Sequence, residues 1–325
     1  MRMPDWLDQS DIFYFVNPDI DGVLYSVIDG KIDYSKNKLD QLKQYALVVA
    51  DYSTEHWGPG TEIIDTSYRL LKESGINFVI FVHDPADHQR YPEVFFYPFW
   101  YYTAKRYFVF AKQVPTSKKQ YLVGCFNGTP RTHRIINYLE MSKKSYMDQN
   151  LFTFFNPENR PVANEGIVLD QEQQAQWDAI KKNFPKRHPG PGFNIDHPIC
   201  TNSYIHLVTE TNVASKIFVS EKTWKAIAAE QLFLVLGNPG TINYLRGQGV
   251  DCFDDIIDHK YYDNEPDWQV RMSKIHSIID SLVGQDLEKI YQQTQVRRQA
   301  NYQKFVNGEF DHKYCQTIQE YIANI

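Results

Sequence analysis

Residues 215–240, "SKIFVSEKTWKAIAAEQLFLVLGNPG", read in succession as strand, helix and strand. Lys216 to Ser220 is a short β-rich apolar run, and Trp224, Ile227 and Ala228 recur at helical spacing. Leu232 to Gly237 is a continuous apolar run with the length of a buried strand. Ser220, at the first seam, has the side chain of a helix N-cap. Strand, helix and buried strand in sequence form the building unit of an α/β layer.

The same alternation extends outward. "SYIHLVTE" (Ser203 to Glu210) and "YLVGCF" (Tyr121 to Phe126) are strand-like, the latter followed by a turn "NGTP" and a helix "RTHRIINYLEMSKK". In the first half, "DIFYFV" (Asp11 to Val16), "YALVVAD" (Tyr45 to Asp51) and "INFVIFVHD" (Ile76 to Asp84) read as buried parallel strands. Between the last two, "TEIIDTSYRLLKESG" is an amphipathic helix with a glycine stop at Gly75. An aromatic segment from Tyr91 to Phe110 precedes "AKQVPTSKKQ" (Ala111 to Gln120), which has the composition of a linker. From about Trp268 onward the pattern is helical, and "FPKRHPGPG" (Phe184 to Gly192) reads as an irregular loop. The expectation is two α/β domains, residues 1–115 and 116–325, with a ligand in the cleft between them at the carboxyl ends of the strands.

Composition narrows the function classes. The 325 residues carry 42% hydrophobic side chains, enough for two cores, and 34 Lys plus Arg against 40 Asp plus Glu give a net charge of −6. That balance argues against a broad basic surface for duplex nucleic acid. Cys125, Cys200, Cys252 and Cys315 show no CxxC pair or zinc-ribbon spacing and read as reduced, packed thiols of a cytoplasmic protein, of a bacterium or a phage-infected cell. The opening "MRMPDWLDQSDIFYFV" lacks the apolar core of a secretory signal, and no run reaches the roughly 18 apolar residues of a membrane span. No integral membrane association is expected, and the sequence leaves the oligomeric state undefined.

The chemistry concentrates at the helix start. Glu221 and Lys222 would occupy its first turn, where unpaired N–H groups and the helix dipole favour an anion. Lysine adds a mobile full charge able to reach a phosphate, and glutamate can accept from the hydroxyls of a ribose or sugar. Together they suit a nucleoside diphosphate joined to something hydroxylated. The plainer alternative is that Glu221 complements the dipole and Lys222 is solvated.

Residues 203–240 resemble the donor-binding segment of the α-(1,3)-fucosyltransferases and related glycosyltransferases. In that family a Phe-Glu-Asn strand end leads through a short loop to Tyr-x-Thr-Glu-Lys, a helix, and an apolar strand ending at glycine. Here Glu210-Thr211-Asn212 stands for the first element, one residue longer, and Phe218-Val219-Ser220-Glu221-Lys222 for the second, with Phe for Tyr and Ser for Thr. The resemblance implies that Glu221 binds donor sugar or ribose hydroxyls and Lys222 the diphosphate. It also implies that Glu210, Asn212 and Ser220 line the same pocket, with Asn212 shifted by the inserted Thr211. A second element resembles the turn that opens the family's donor domain, where an arginine meets the phosphates. Asn127, Gly128, Arg131 and Arg134 stand there in "NGTPRTHR", with Arg131 the first candidate and Arg134 the second. Either arginine could instead only decorate the helix surface. Phage and large-virus proteins share this turn and the Ser-Glu-Lys helix, so the reaction class is carried over and fucose is not.

An inverting transfer needs a carboxylate to take the acceptor's proton. Strand-end loops offer Glu55 in "VVADYSTEHWGPG" first and Asp84 in "FVHDP" second, each equally able to cap a turn. Asp19-Ile20-Asp21 has the form of a metal-binding Asp-x-Asp, but a solvated turn is the simpler reading, and His83, Asp84, Asp87 and His88 are metal-ligand types whose spacing, with Pro85 among them, matches no recognised coordination geometry. Trp100, Tyr101 and Tyr102 could line an acceptor site, and packing between the domains is the simpler reading. The whole implies a two-domain, Rossmann-like transferase of the GT-B type, without metal or cofactor. It would move a sugar from a nucleotide-sugar donor to a glycan or nucleic-acid hydroxyl. The alternative is a non-catalytic binder of nucleotide sugars or of single-stranded nucleic acid.

Overall fold

A computed structural model describes residues 13–16, 26–28, 31–33, 43, 47–52, 61–108, 118–154, 157–158, 162, 167–184, 202–214, 216–310, 316–318, 320–321 and 324. The chain divides into two compact units, Met1–Tyr102 with Asp311–Ile325, and Thr103–Phe310. The division falls within a helix rather than at 115/116. Residues 311–325, read from the sequence as part of the second domain, belong to the first unit. The linker reading at 111–120 lies mostly outside the described residues, as does the loop at 185–192.

The first unit contains a parallel sheet with order β1 (Phe13–Val16), β4 (Leu47–Tyr52), β5 (Phe78–Val82), β6 (Val94–Phe96), plus an antiparallel hairpin of β2 (Ser26–Ile28) and β3 (Lys31–Asp33). Helix α1 (Thr61–Glu73) connects β4 to β5 and buries Ile64 and Leu71 against Val48, Ala50, Phe78, Ile80 and Val82. The alternate strand residues Leu47, Val49, Val79, Phe81 and Phe95 point to the other face. There they meet Ile318 and Tyr321 from the end of the chain. Such two-sided burial explains the unbroken apolar runs of these strands. The aromatic segment resolves into β6 and helix α2 (Phe99–Phe108), with Tyr97 stacked on Phe81 and Tyr102 on Tyr97. Packing is therefore what Tyr101 and Tyr102 are seen to do.

In the second unit, β7 (Tyr121–Phe126), α3 (Thr132–Met141), β8 (Leu151–Thr153), α4 (Gln171–Ile180), β9 (Ser203–Thr209), α5 (Glu221–Ala228) and β10 (Leu232–Leu236) alternate in sequence. They form an all-parallel sheet with order β10-β9-β7-β8. Its first strand lies inside the sheet, so the order reverses between β7 and β9. Right-handed crossovers then send α3 and α5 to opposite faces, and α3 packs with α4 while α5 packs with α9 (Gln295–Asn307). Helices α6 (Thr241–Gly247), α7 (Trp268–Val283) and α8 (Leu287–Gln293) complete the unit. Cys125 and Cys252 are buried free thiols. The strand expected at Lys216–Ser220 is absent. That segment is non-strand backbone in which Phe218 is buried, and the strand that feeds α5 is β9. Among the described residues, no helix is long and apolar enough to cross a membrane.

Candidate functional site at the sheet reversal

Reversal of strand order opens a crevice at the carboxyl ends of the two strands that flank it. Here those ends are Phe126-Asn127 and Thr209-Glu210, and the residues singled out in the second half of the sequence gather around them. Asn127 is fully buried and stitches the strands together: its N–H donates to Thr153 O (3.2 Å), and its Oδ1 accepts from Thr209 Oγ1 (2.5 Å).

Glu210 is equally buried, and its carboxylate is spent on the start of α5. Oε1 accepts from Ser220 N (3.0 Å) and Thr223 Oγ1 (2.6 Å), and Oε2 accepts from Ser220 Oγ (2.5 Å). With 0% of its surface exposed, Glu210 is a clip that fixes the helix and not a direct ligand to a sugar. Ser220 caps α5 as expected, its Oγ accepting from Lys222 N at 3.3 Å. At its far end α5 is held too: the Glu230 carbonyl, on a left-handed residue with φ 52°, accepts from Arg298 Nη1 (2.6 Å) and the Tyr291 hydroxyl (3.0 Å).

The two arginines separate. Arg134 is buried, donating from Nη1 to Thr129 O (3.0 Å) and from Nη2 to Thr209 O (3.2 Å) and Glu210 O (3.1 Å). Burial, helped by the charge of Arg131, pulls its pKa down to about 10. It braces the turn and the strand end. Arg131 is the half-buried N-cap residue of α3, with no cap hydrogen bond from its side chain, and keeps its place as the anion candidate. Next to them His133 donates from Nε2 to Glu210 O (2.9 Å), and burial with the neighbouring Arg134 holds it neutral, well below the usual imidazole range.

Glu221 and Lys222 pair with each other. Lys222 Nζ lies 3.1 Å from Glu221 Oε1 and 3.1 Å from Ser220 Oγ, with 15% of the lysine side chain and 17% of the glutamate side chain exposed. Burial pushes the Glu221 carboxyl up, but the charges of Lys222 and Lys225 outweigh it and leave the group below its ordinary value, hence ionised at neutral pH. Lys225 is itself buried, its Nζ 4.1 Å from the centroid of the Phe126 ring. Arg131, Arg134, Lys222 and Lys225 thus bring four positive charges to a strand end that carries the carboxylates Glu210 and Glu221. Asn212 accepts from Ala214 N (2.9 Å) and Asn238 Nδ2 (3.3 Å), tying the end of β9 to the loop after β10. A Cβ on Gly237 would stand 3.1 Å from Thr241 Oγ1 and 3.4 Å from Glu210 Cγ, so this close approach favours glycine.

Two hydroxyls escaped the sequence reading. Thr132 Oγ1, in the first turn of α3, and Thr153 Oγ1, at the end of β8, are buried without a hydrogen-bond partner among the described residues. A buried hydroxyl without a partner is costly in a finished core. No sequence signal beyond position next to a strand end would have marked either.

In the first unit, Asp84 is 3% exposed and caps a single 3-10 turn by accepting from Ala86 N (2.9 Å), the capping alternative for this residue. His88 Nδ1 accepts from Phe96 N (3.2 Å) and Asp87 lies 3.8 Å from Arg90, so this cluster closes a turn. Glu55 and Asp19-Ile20-Asp21 lie outside the described residues. Among those described, no group of three or more His, Cys, Asp or Glu is placed to hold a metal. No protein-family model matches the chain, and no curated protein matches it significantly.

Proposed function

We propose that the second unit binds a nucleotide sugar at the carboxyl ends of β7 and β9, and that the protein is a glycosyltransferase acting on a hydroxyl of a glycan or nucleic acid. The observation that carries this reading is the excess of positive charge at the sheet reversal, within a chain of net charge −6. A diphosphate placed there would meet Arg131, Lys222 and the first-turn amides of α3 and α5. Glu221, ionised and released from Lys222 by the phosphate, would accept from sugar or ribose hydroxyls. The likeness of residues 203–240 to the fucosyltransferase donor segment supports the same assignment.

In an inverting transfer, the acceptor oxygen attacks the anomeric carbon as its proton passes to a carboxylate, and the bond to the diphosphate breaks. The negative charge that develops on the leaving diphosphate is what Arg131 and Lys222 would stabilise, the task a metal performs in other transferases. Glu55 is the first base candidate, and Asp84, which also caps a turn, is the second. Calorimetry with a nucleoside diphosphate and its sugar conjugates tests the reading. Lys222→Ala should weaken binding roughly 10- to 100-fold, with a lower melting temperature because Glu221 loses its partner, so affinity is compared at a temperature where both proteins are folded. Equal affinity in both proteins overturns it, and binding without turnover on any acceptor converts it to the non-catalytic alternative.

A further inference from the structure

The first unit carries a cavity that the donor reading does not use. It has a volume of about 710 Å³ and is walled by Asp65, Tyr68, Arg69, Lys72 and Glu73 on the outer flank of α1 and by Tyr91. Asp65, Tyr68 and Tyr91 in this lining are held by several contacts. Tyr68 and Tyr91 stack at 4.0 Å between centroids and 13° between planes, and Tyr68 also meets Phe78 edge-on at 5.6 Å. Asp65 is gripped by Arg90 through two bonds of 2.8 and 3.0 Å and accepts from the Tyr91 hydroxyl at 3.1 Å. Lys72 reaches out of the cavity wall to Glu93 at 2.6 Å. Arg69 and Glu73 are exposed.

Three properties define what would fit. The size lies within the roughly 300 to 1,000 Å³ typical of small-ligand sites. The formal charges balance, Asp65 and Glu73 against Arg69 and Lys72, and two of the four are already neutralised by partners. The lining combines half-buried aromatic rings with planar carboxylate and guanidinium groups. Rings of this kind offer apolar faces to the C–H side of a pyranose and polar edges to its surroundings, while carboxylates accept from hydroxyls and guanidinium donates to them. A polyanion would gain little from a balanced wall, and a purely apolar ligand would strand the charged groups.

We infer that this cavity is a binding site for an uncharged oligosaccharide, separate from the nucleotide-sugar site. It stands on residues of α1 and Tyr91 alone and does not depend on the transferase reading.

The full-length protein is tested on a printed array of neutral oligosaccharides built from hexoses, N-acetylhexosamines and deoxyhexoses, with sialylated and sulfated glycans as a second set. The strongest neutral ligand is then titrated by calorimetry. Tyr91→Ala should weaken it about tenfold, from the lost ring contact. Because Tyr91 also packs on the core, Arg69→Ala is the companion: exposed and without a packing role, it should cost several-fold through one lost hydrogen-bonding group. Lys222→Ala should leave saccharide affinity unchanged. The inference is overturned by an array without neutral binders, by binding of the acidic set alone, or by neutral binding insensitive to both Tyr91→Ala and Arg69→Ala.

Discussion

The two units each contain a four-stranded parallel sheet, yet the order of strands differs. In the first the strands follow chain order from one edge to the other. In the second, the first strand sits between the second and the third. A sheet in chain order sends its right-handed connections to one face and opens no crevice at its strand ends. In the loop after β5, Asp84 and His88 each hold a turn, Asp84 accepting from Ala86 N and His88 from Phe96 N. In the second unit the ends of β7, β8 and β9 and the starts of α3 and α5 come together through Asn127, Arg134 and Glu210, and charged side chains collect there. Strand order thus accounts for where the charged side chains gather.

The second unit pays for its polar interior in acid, which gives the largest test of the contrast. His133, His206, His259 and His276 are all buried there. Chiefly through burial, the last three have pKa values of about 3, 4 and 4, and His133 lies well below its ordinary value. Unfolded imidazoles, near 6.5, take up protons that the folded ones refuse. Stability is therefore intact above about pH 6.5 and falls as pH drops below it, by roughly 2 kcal/mol at pH 5 for each of His206, His259 and His276, with His133 acting in the same direction. Together these exceed half the stability of an ordinary domain. Hydrogen exchange between pH 7 and 5 should show the second unit opening first, and loss of the first unit at higher pH would break the contrast.

A smaller effect is expected at the clip. Glu210→Ala strands the Ser220 amide and the Ser220 and Thr223 hydroxyls and removes a charge that favours buried Arg134, and should cost roughly 3 kcal/mol in urea unfolding of the second unit. A cost under about 1 kcal/mol would return Glu210 to a ligand-binding role. The smallest is at the matching strand end of the first unit. There Asp84→Ala removes a turn cap worth about 1 kcal/mol and should leave nucleotide affinity untouched. If the proposed transfer reaction is found, its collapse far beyond that cost in Asp84→Ala would make Asp84 the base.

Much of this architecture is legible in the sequence, because strands buried on both faces are written as apolar runs. β4, β5, β7, β9 and β10 were all readable in this way, and so was the Ser220 cap. Lys216–Ser220 misleads because its apolar side chains answer to burial of Phe218, while the Ser220 N–H is satisfied by a carboxylate instead of a ladder. β8 is only three residues long and leaves no period to count. Within α3, nearly every position is buried, so helical phase could not tell the internal Arg134 from the N-cap Arg131. Glu210 looked like a pocket residue because its partners, Ser220 and Thr223, lie ten and thirteen residues away and only the folded loop brings them back.

The return of Ile318 and Tyr321 to the first sheet has a consequence for biosynthesis. A chain made from its N-terminus completes β4, β5 and β6 early, but the face formed by Val49, Val79, Phe81 and Phe95 lacks these covering side chains until residue 321 is made. By then every residue of the second unit has been synthesised. The first unit to begin is the last to finish, and one apolar sheet face waits through the interval, the kind of transient surface on which chaperones act.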